Sequence, residues 1–199
     1  MNFAVFASGK GTNLQAIIGA VKKGKIKANL SLVISDNSGA YALKRAKKAG
    51  VKAVIINPKD FFGKQSFDEA LIVCLQKEKI DFIVLAGYMR ILSPFFVRRF
   101  RRKILNIHPA ILPAFIGAHA IKDVFDYGAK VAGVTVHFAD EKVDHGPIIL
   151  QEAVTIGPHD TLATLEEKIH NIEHKIYPKA IDLFARGRVK VSGRKTKIS

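Results

Sequence analysis

The sequence predicts an α/β protein: one domain built on a doubly wound, mostly parallel sheet, with antiparallel edge strands in its C-terminal half. Three observations carry this expectation. Short apolar runs rich in Val, Ile and Phe alternate with segments of helical spacing through the first half. Two close apolar runs in the second half leave no room between them for a crossover helix. A chain of 199 residues with 48% hydrophobic content is long enough for one substantial core.

The runs 3–7, 30–34, 53–56 and 82–86 are apolar but for Ser31, as strands covered on both faces should be. Helical spacing over roughly 12–21, 40–49 and 66–77 supplies right-handed crossovers between them, with Gly50 as a C-terminal stop. A further strand, 104–108, leads into a structured loop at 109–118, rich in Pro and Gly. The runs 133–138 and 147–154 should pair antiparallel at the far edge. A closing helix from about 161 to 185 should cover a face, with Tyr177-Pro178 bending or interrupting it. The chain reads as a single domain, 1–199. Residues 1–100 form its phosphate- or nucleotide-binding half, 101–188 its catalytic half and 189–199 a basic tail, with 192–199 expected to be disordered.

Composition sets limits on partners. No apolar run of about 18 residues exists, so no membrane span is expected, and the apolar start reads as a first strand rather than a signal peptide. The single Cys74 excludes an internal disulfide and any multi-cysteine zinc site, and it fits a reducing cytoplasm. The net charge of +15 favours acidic ligands, and five of the six residues 98–103 are basic. That stretch has Phe100 but no aromatic series for stacking bases, so nucleic acid is not the expected partner.

Two motifs carry chemistry. In Asn106-Ile107-His108-Pro109, the amide and the imidazole are two apart on a strand and share a face. Pro109 cannot continue a central ladder, so the pair sits at a strand end, where open α/β sheets keep their sites. Asn106 can polarise an oxygen, and His108 can also move a proton. The second motif, Ser8-Gly9-Lys10-Gly11-Thr12-Asn13, joins the first strand to the first helix. Its glycines let the backbone approach an anion, and the helix start offers unpaired N–H groups. Leu14 stands where a dinucleotide fingerprint needs its third glycine, and no Gly-Lys-Ser/Thr follows at P-loop spacing. The turn reads as a single-phosphate site, or as a tight strand–helix connection.

All seven histidines lie after residue 107, but their spacings match no metal motif. His170 and His174 read as surface polar residues, and no metal is expected. Asp144, in the turn before Gly146-Pro147, can reach His108 if that loop folds over the strand end.

These segments resemble the phosphoribosylglycinamide formyltransferases. Besides the two motifs, the chain holds Leu85-Ala86-Gly87-Tyr88-Met89-Arg90-Ile91-Leu92-Ser93, Leu112-Pro113-Ala114-Phe115, His137-Phe138 and Asp144-His145-Gly146-Pro147 in the family's order. The resemblance implies a formyltransferase-like fold and transfer of a formyl group from 10-formyltetrahydrofolate, as co-substrate, to glycinamide ribonucleotide. It implies Asn106, His108 and Asp144 as the catalytic trio. Gly11, Thr12, Asn13 and Lys64 would hold the ribonucleotide phosphate, and Glu173 its ribose or glycinamide end. Met89, Arg90, Ile91, Leu92 and Asn106, with Ala139, Asp140, Glu141, Val143 and Asp144, would line the folate pocket. The implied partners are these small molecules alone, for a cytoplasmic monomer or homodimer. Thr12 stands where Ser is common, and His145 is an unusual neighbour for the acid. Two alternatives stay open: another folate-dependent formyl enzyme, such as methionyl-tRNA formyltransferase or formyltetrahydrofolate deformylase, and a basic nucleic-acid-binding domain.

Overall fold

Alternation along each strand decides which layer a side chain joins. The computed structural model describes residues 1–199. The first half runs β1 (Asn2–Phe6), α1 (Thr12–Lys22), β2 (Asn29–Ser35), α2 (Tyr41–Lys48), β3 (Lys52–Ile55), α3 (Gly63–Lys77), β4 (Phe82–Leu85) and α4 (Pro94–Arg99). The second half runs β5 (Ile104–His108), α5 (Ala120–Asp126), β6 (Val131–Phe138), β7 (Ile148–Thr155), α6 (Leu162–Ala185), β8 (Val189–Ser192) and β9 (Lys195–Ile198). Seven strands form one sheet in the order β3-β2-β1-β4-β5-β6-β7. Strands β1 to β5 are parallel, and β6 runs antiparallel to both β5 and β7.

In β1, Phe3 and Val5 pack into the larger core with α1, α2, α5 and α6, while Ala4 and Phe6 pack into the smaller core with α3 and α4. Burial on both faces is why the run is continuously apolar. In β5, Leu105 and Ile107 belong to the larger core. Asn106 and His108 therefore face the α3–α4 side, at the end where the strand runs out of pairing. The shared-face expectation for this pair holds.

Helix α6 ties the strand ends together. Its fully buried Tyr177 places the hydroxyl 2.7 Å from the Leu85 carbonyl oxygen and 3.0 Å from that of Leu105. The one hydroxyl proton serves one of these carbonyls at a time. Leu85 ends β4 and Leu105 precedes Asn106 in β5, so this contact joins the two strands just below Asn106.

Four expectations need correction. The third run is parallel to β2 but forms the sheet edge, with Lys52, Ala53 and Ile55 exposed, because no strand lies beyond it. Helix α6 runs through Pro178 without interruption, since packing flanks the proline and Tyr177 is anchored beside it. The chain end is ordered: β8 and β9 pair antiparallel through the turn at Gly193 and Arg194, and Val189 and Val191 pack against the larger core. Short α4 and α5 had no periodicity long enough to read. Even so, Ser93 caps the Phe96 N–H and Pro94 opens α4 in the pattern expected of a helix start.

Replacing Tyr177 with Phe removes the hydroxyl that α6 donates to the Leu85 and Leu105 carbonyls. It should cost about 1–3 kcal/mol of stability, the range for stranding a buried hydrogen-bonding group. Urea unfolding of Tyr177→Phe checks this, and an unchanged midpoint would show the contact to be idle.

Candidate active site

The chain leaves β1 outward through β2 and β3, then returns to place β4 on the other side of β1. The crevice at such a reversal, beyond the carboxyl ends of the strands, is where open α/β sheets bind ligands. Ser8 fastens the loops there. Its hydroxyl donates to Asp36 Oδ1 at 2.6 Å and accepts from the Met89 N–H at 2.9 Å, so one side chain links the ends of β1, β2 and β4.

The turn after β1 is built for close approach. Gly11 caps α1 with φ +68°, and a Cβ there would meet Ala42 at 2.9 Å. Only glycine suits both the conformation and the contact. No side chain caps α1, which leaves its first N–H groups free for an anion. Arg45 Nε donates to the Lys10 carbonyl at 2.9 Å and steadies the turn from α2. Asn13 is buried and donates through Nδ2 to Glu173 Oε2 at 3.1 Å, while its Oδ1 has no protein partner. Glu173 also lies 2.9 Å from His170 Nδ1. That hydrogen bond outweighs burial and holds the His170 ring above the ordinary histidine range. Burial pushes His174 the other way. His170 keeps the surface position expected of it, its side chain 48% exposed, whereas His174 is partly buried, which corrects its reading as a surface residue.

At the end of β5, the buried His108 turns Nδ1 to Asp144 Oδ2 at 3.3 Å and Nε2 to the Phe115 carbonyl at 2.8 Å. Both partners are acceptors, an arrangement satisfied when both ring nitrogens carry protons. Asn106 Nδ2 lies 3.4 Å from Asp144 Oδ1 and 3.2 Å from His137 Nε2. His137 sits directly opposite Asn106 in the antiparallel pairing of β5 and β6. Its Nδ1 lies 2.9 Å from the Phe138 carbonyl, and its Nε2 faces both Asn106 Nδ2 and, at 3.7 Å, Asp144 Oδ1. The Gly117 N–H completes the set, donating to Asp144 Oδ2 at 3.2 Å. Burial would raise the Asp144 carboxyl, but His137, His108 and the Gly117 N–H together hold it below the usual carboxylate range.

The loop carrying Asp144 is tightly specified. Asp144 itself has φ +50°, rare for a non-glycine residue. A Cβ on Gly146 would lie 1.8 Å from the Phe138 carbonyl oxygen, so glycine is required there. Asp140 accepts from the Lys142 N–H and pairs with His145 Nδ1, both at 2.9 Å, and Glu141 pairs with Arg98 at 3.0 Å. Ala139 donates its N–H to the Ile104 carbonyl, and Val143 is exposed at the loop's tip.

The loop after β4 forms the opposite wall. Met89 and Ile91 are about three-quarters exposed, at 73% and 75%, large apolar side chains with nothing yet packed on them. Arg90 lies over the Phe67 ring, 5.3 Å from its centre. Lys64, Arg90, Ile91 and Leu92 line one small cleft with Tyr88, whose hydroxyl is buried without a protein partner. Lys64 thus sits beside residues 90–92, next to Asp68 and Ser93 of the same cleft.

The structure therefore brings Asn106, His108 and Asp144 together, and joins Asn13 to Glu173. Sequence reading missed His137, His170, the Phe115 carbonyl and the Gly117 N–H. The adjacency of His137 to Asn106 depends on register, and the two backbone groups have no side-chain signature. No group of three or more His, Cys, Asp or Glu is arranged to hold a metal ion, and no helix is long and apolar enough to cross a membrane.

Comparison with known proteins agrees with this geometry. The formyl transferase family model matches residues 1–181. A phosphoribosylglycinamide formyltransferase of Bacillus subtilis is 43% identical over 179 residues, covering 90% of this chain and 92% of that protein. The trifunctional purine biosynthetic protein adenosine-3 of Gallus gallus is 45% identical over 94% of this chain, which spans 19% of that longer protein. Among solved structures, glycinamide ribonucleotide transformylase 1 from Symbiobacterium toebii superposes with a TM-score of 0.97 at 45% identity, covering 100% of this chain and 93% of that one. With Asn106 and His108 met by Asp144 at a strand end and the match running almost its full length, the chain belongs to the formyl transferase family.

Proposed function

We infer that this chain is a phosphoribosylglycinamide formyltransferase: it moves the formyl group of 10-formyltetrahydrofolate onto the amino group of glycinamide ribonucleotide, a step of purine biosynthesis. The observation that carries this reading is the buried Asp144 carboxylate paired with His108 and Asn106, in the same crevice as the uncapped start of α1. The turn at Gly11, Thr12 and Asn13 suits a single phosphate. Glu173, fixed by Asn13 and His170, is placed to meet the ribose or glycinamide end. Met89, Arg90, Ile91 and Leu92 on one wall and residues 139–144 on the other give a pterin and its linker apolar surface with polar ends. Lys64 is assigned to the substrate phosphate and Arg90 to a folate carboxylate.

In the reaction, the substrate amine attacks the formyl carbon and forms a C–N bond, and the carbonyl π electrons move onto oxygen. Asn106 and protonated His108 stabilise that oxyanion, a contribution of about 2.7–4 kcal/mol for a donor of this kind. The long 3.4 Å contact from Asn106 to Asp144 is the one a substrate oxygen can replace. The tetrahedral centre collapses as the bond to folate N10 breaks. The amine gives up a proton and N10 gains one, with His108 and Asp144 moving it directly or through water. No acyl-enzyme is needed. A cytoplasmic monomer or homodimer suits this chemistry, and Cys74 is a free thiol.

Formylation assays with glycinamide ribonucleotide and with charged initiator tRNA separate the reading from its nearest alternative. Turnover with the ribonucleotide only is expected, and turnover with tRNA only would replace the assignment. His108→Ala and Asp144→Asn should each lower kcat about 100-fold or more, the range for a lost acid–base or oxyanion group. KM for the folate should change little, and near-parental turnover in either variant would remove that residue from the chemistry.

The direction of the Asp144 shift adds a pH prediction. A carboxyl held below its ordinary range is anionic throughout the working range and takes up a proton only under acid conditions. Carboxyl chemical shifts followed by NMR should show no Asp144 titration between about pH 5 and 8. A midpoint inside that window would contradict the network of donors around it.

A further inference from the structure

Asp144 occupies a left-handed conformation, φ +50°, which a non-glycine residue keeps only where its surroundings hold it. Its own side-chain contacts are those of the reaction site, so support for the loop has to come from elsewhere. Most of the loop's ties join side chains: Asp140 to His145, and Glu141 to Arg98. Within 140–146, the Lys142 N–H bonds to Asp140 inside the loop itself. The only side chain from outside that hydrogen-bonds the loop's main chain is Arg194.

Arg194 stands in the turn between β8 and β9. Its Nη2 donates to the carbonyl of His145, the residue after Asp144, at 2.7 Å. Its Nη1 lies 3.1 Å from both ring nitrogens of His145, against the imidazole already paired with Asp140. A charge-assisted bond to a carbonyl is shorter and stronger than a neutral one. The hairpin that presents Arg194 is itself anchored. Thr196 Oγ1 donates to the Ile148 carbonyl at 2.6 Å, at the first residue of β7, and Val189 and Val191 pack against the core. Between these anchors, Gly146 has no room to yield beneath the Phe138 carbonyl.

We propose that Arg194 is a positioning residue for formyl transfer: by holding the His145 carbonyl from the C-terminal hairpin, it keeps Asp144 in its left-handed conformation against His108 and Asn106. The proposal rests on the assignment of Asp144 to the chemistry. It makes the basic tail a working part of the site rather than a solvated appendage. Misplacing a reacting group by about 1 Å is enough to cost two orders of magnitude in rate, so an exposed arginine can matter here far more than a surface ion pair usually does.

The test is a double-mutant cycle in the full chain with Arg194→Ala, Asp144→Asn and the pair, with kcat, both KM values and the unfolding midpoint measured for each. Arg194→Ala should lower kcat about 10- to 100-fold, leave KM for glycinamide ribonucleotide and the unfolding midpoint near parental, and add almost nothing on top of Asp144→Asn. Arg194→Lys, which keeps a cationic donor, should recover part of the rate. Thr196→Ala, which removes one anchor of the hairpin and leaves the Arg194 contact to the His145 carbonyl in place, should lose clearly less rate than Arg194→Ala. The proposal is overturned by parental kcat in Arg194→Ala, by losses that multiply in the double variant, or by an equal loss in Thr196→Ala. Parental kcat in Asp144→Asn overturns instead the assignment of Asp144 on which the proposal stands.

Discussion

A carboxylate whose side chain is only 9% exposed has to be paired, because an isolated charge out of water is far costlier than its partners can leave it. Asp144 meets that demand with His108, Asn106 and the Gly117 N–H. The partners come from two stretches of chain and the acid from a third. Asn106 and His108 hang on β5, Gly117 belongs to the loop beyond it, and Asp144 itself arrives on the connection between two antiparallel strands. Satisfying one buried charge therefore assembles the site, and the same contacts keep the carboxyl ionised.

The rest of the fold holds the two halves of this site in register. Helix α6 reaches both: Glu173 bonds Asn13 at the turn after β1, and Tyr177, one turn later, joins the end of β4 to β5 beside Asn106. Ser8 performs the corresponding task at the loops, linking β1 to Asp36 and Met89. The two ligand walls cannot drift independently, because a helix and a hydroxyl span them. Preorganisation of this kind is what a reaction with no covalent intermediate needs, since positioning and charge stabilisation supply its rate.

Much of this was legible in the residues. Continuous apolar runs announced the doubly buried strands, and the spacing of Asn106 and His108 placed them on one face at a strand end. The same reasoning failed where information is not local. His137 joins the site through the β5–β6 register, which no single segment encodes. The β8–β9 hairpin was obscured by its charges: Lys190, Arg194, Lys195 and Lys197 mark a solvated tail by composition, while Val189 and Val191 alternate onto the core. Backbone groups such as the Phe115 carbonyl carry no residue signature at all.

The central claim is that the phosphate turn and the Asn106–His108–Asp144 network form one site in which amine and formyl donor meet directly. Initial rates measured while both substrates are varied test it most directly. Intersecting double-reciprocal lines, as a ternary complex requires, are expected. Parallel lines, the mark of a formyl-enzyme formed before the amine arrives, would contradict it.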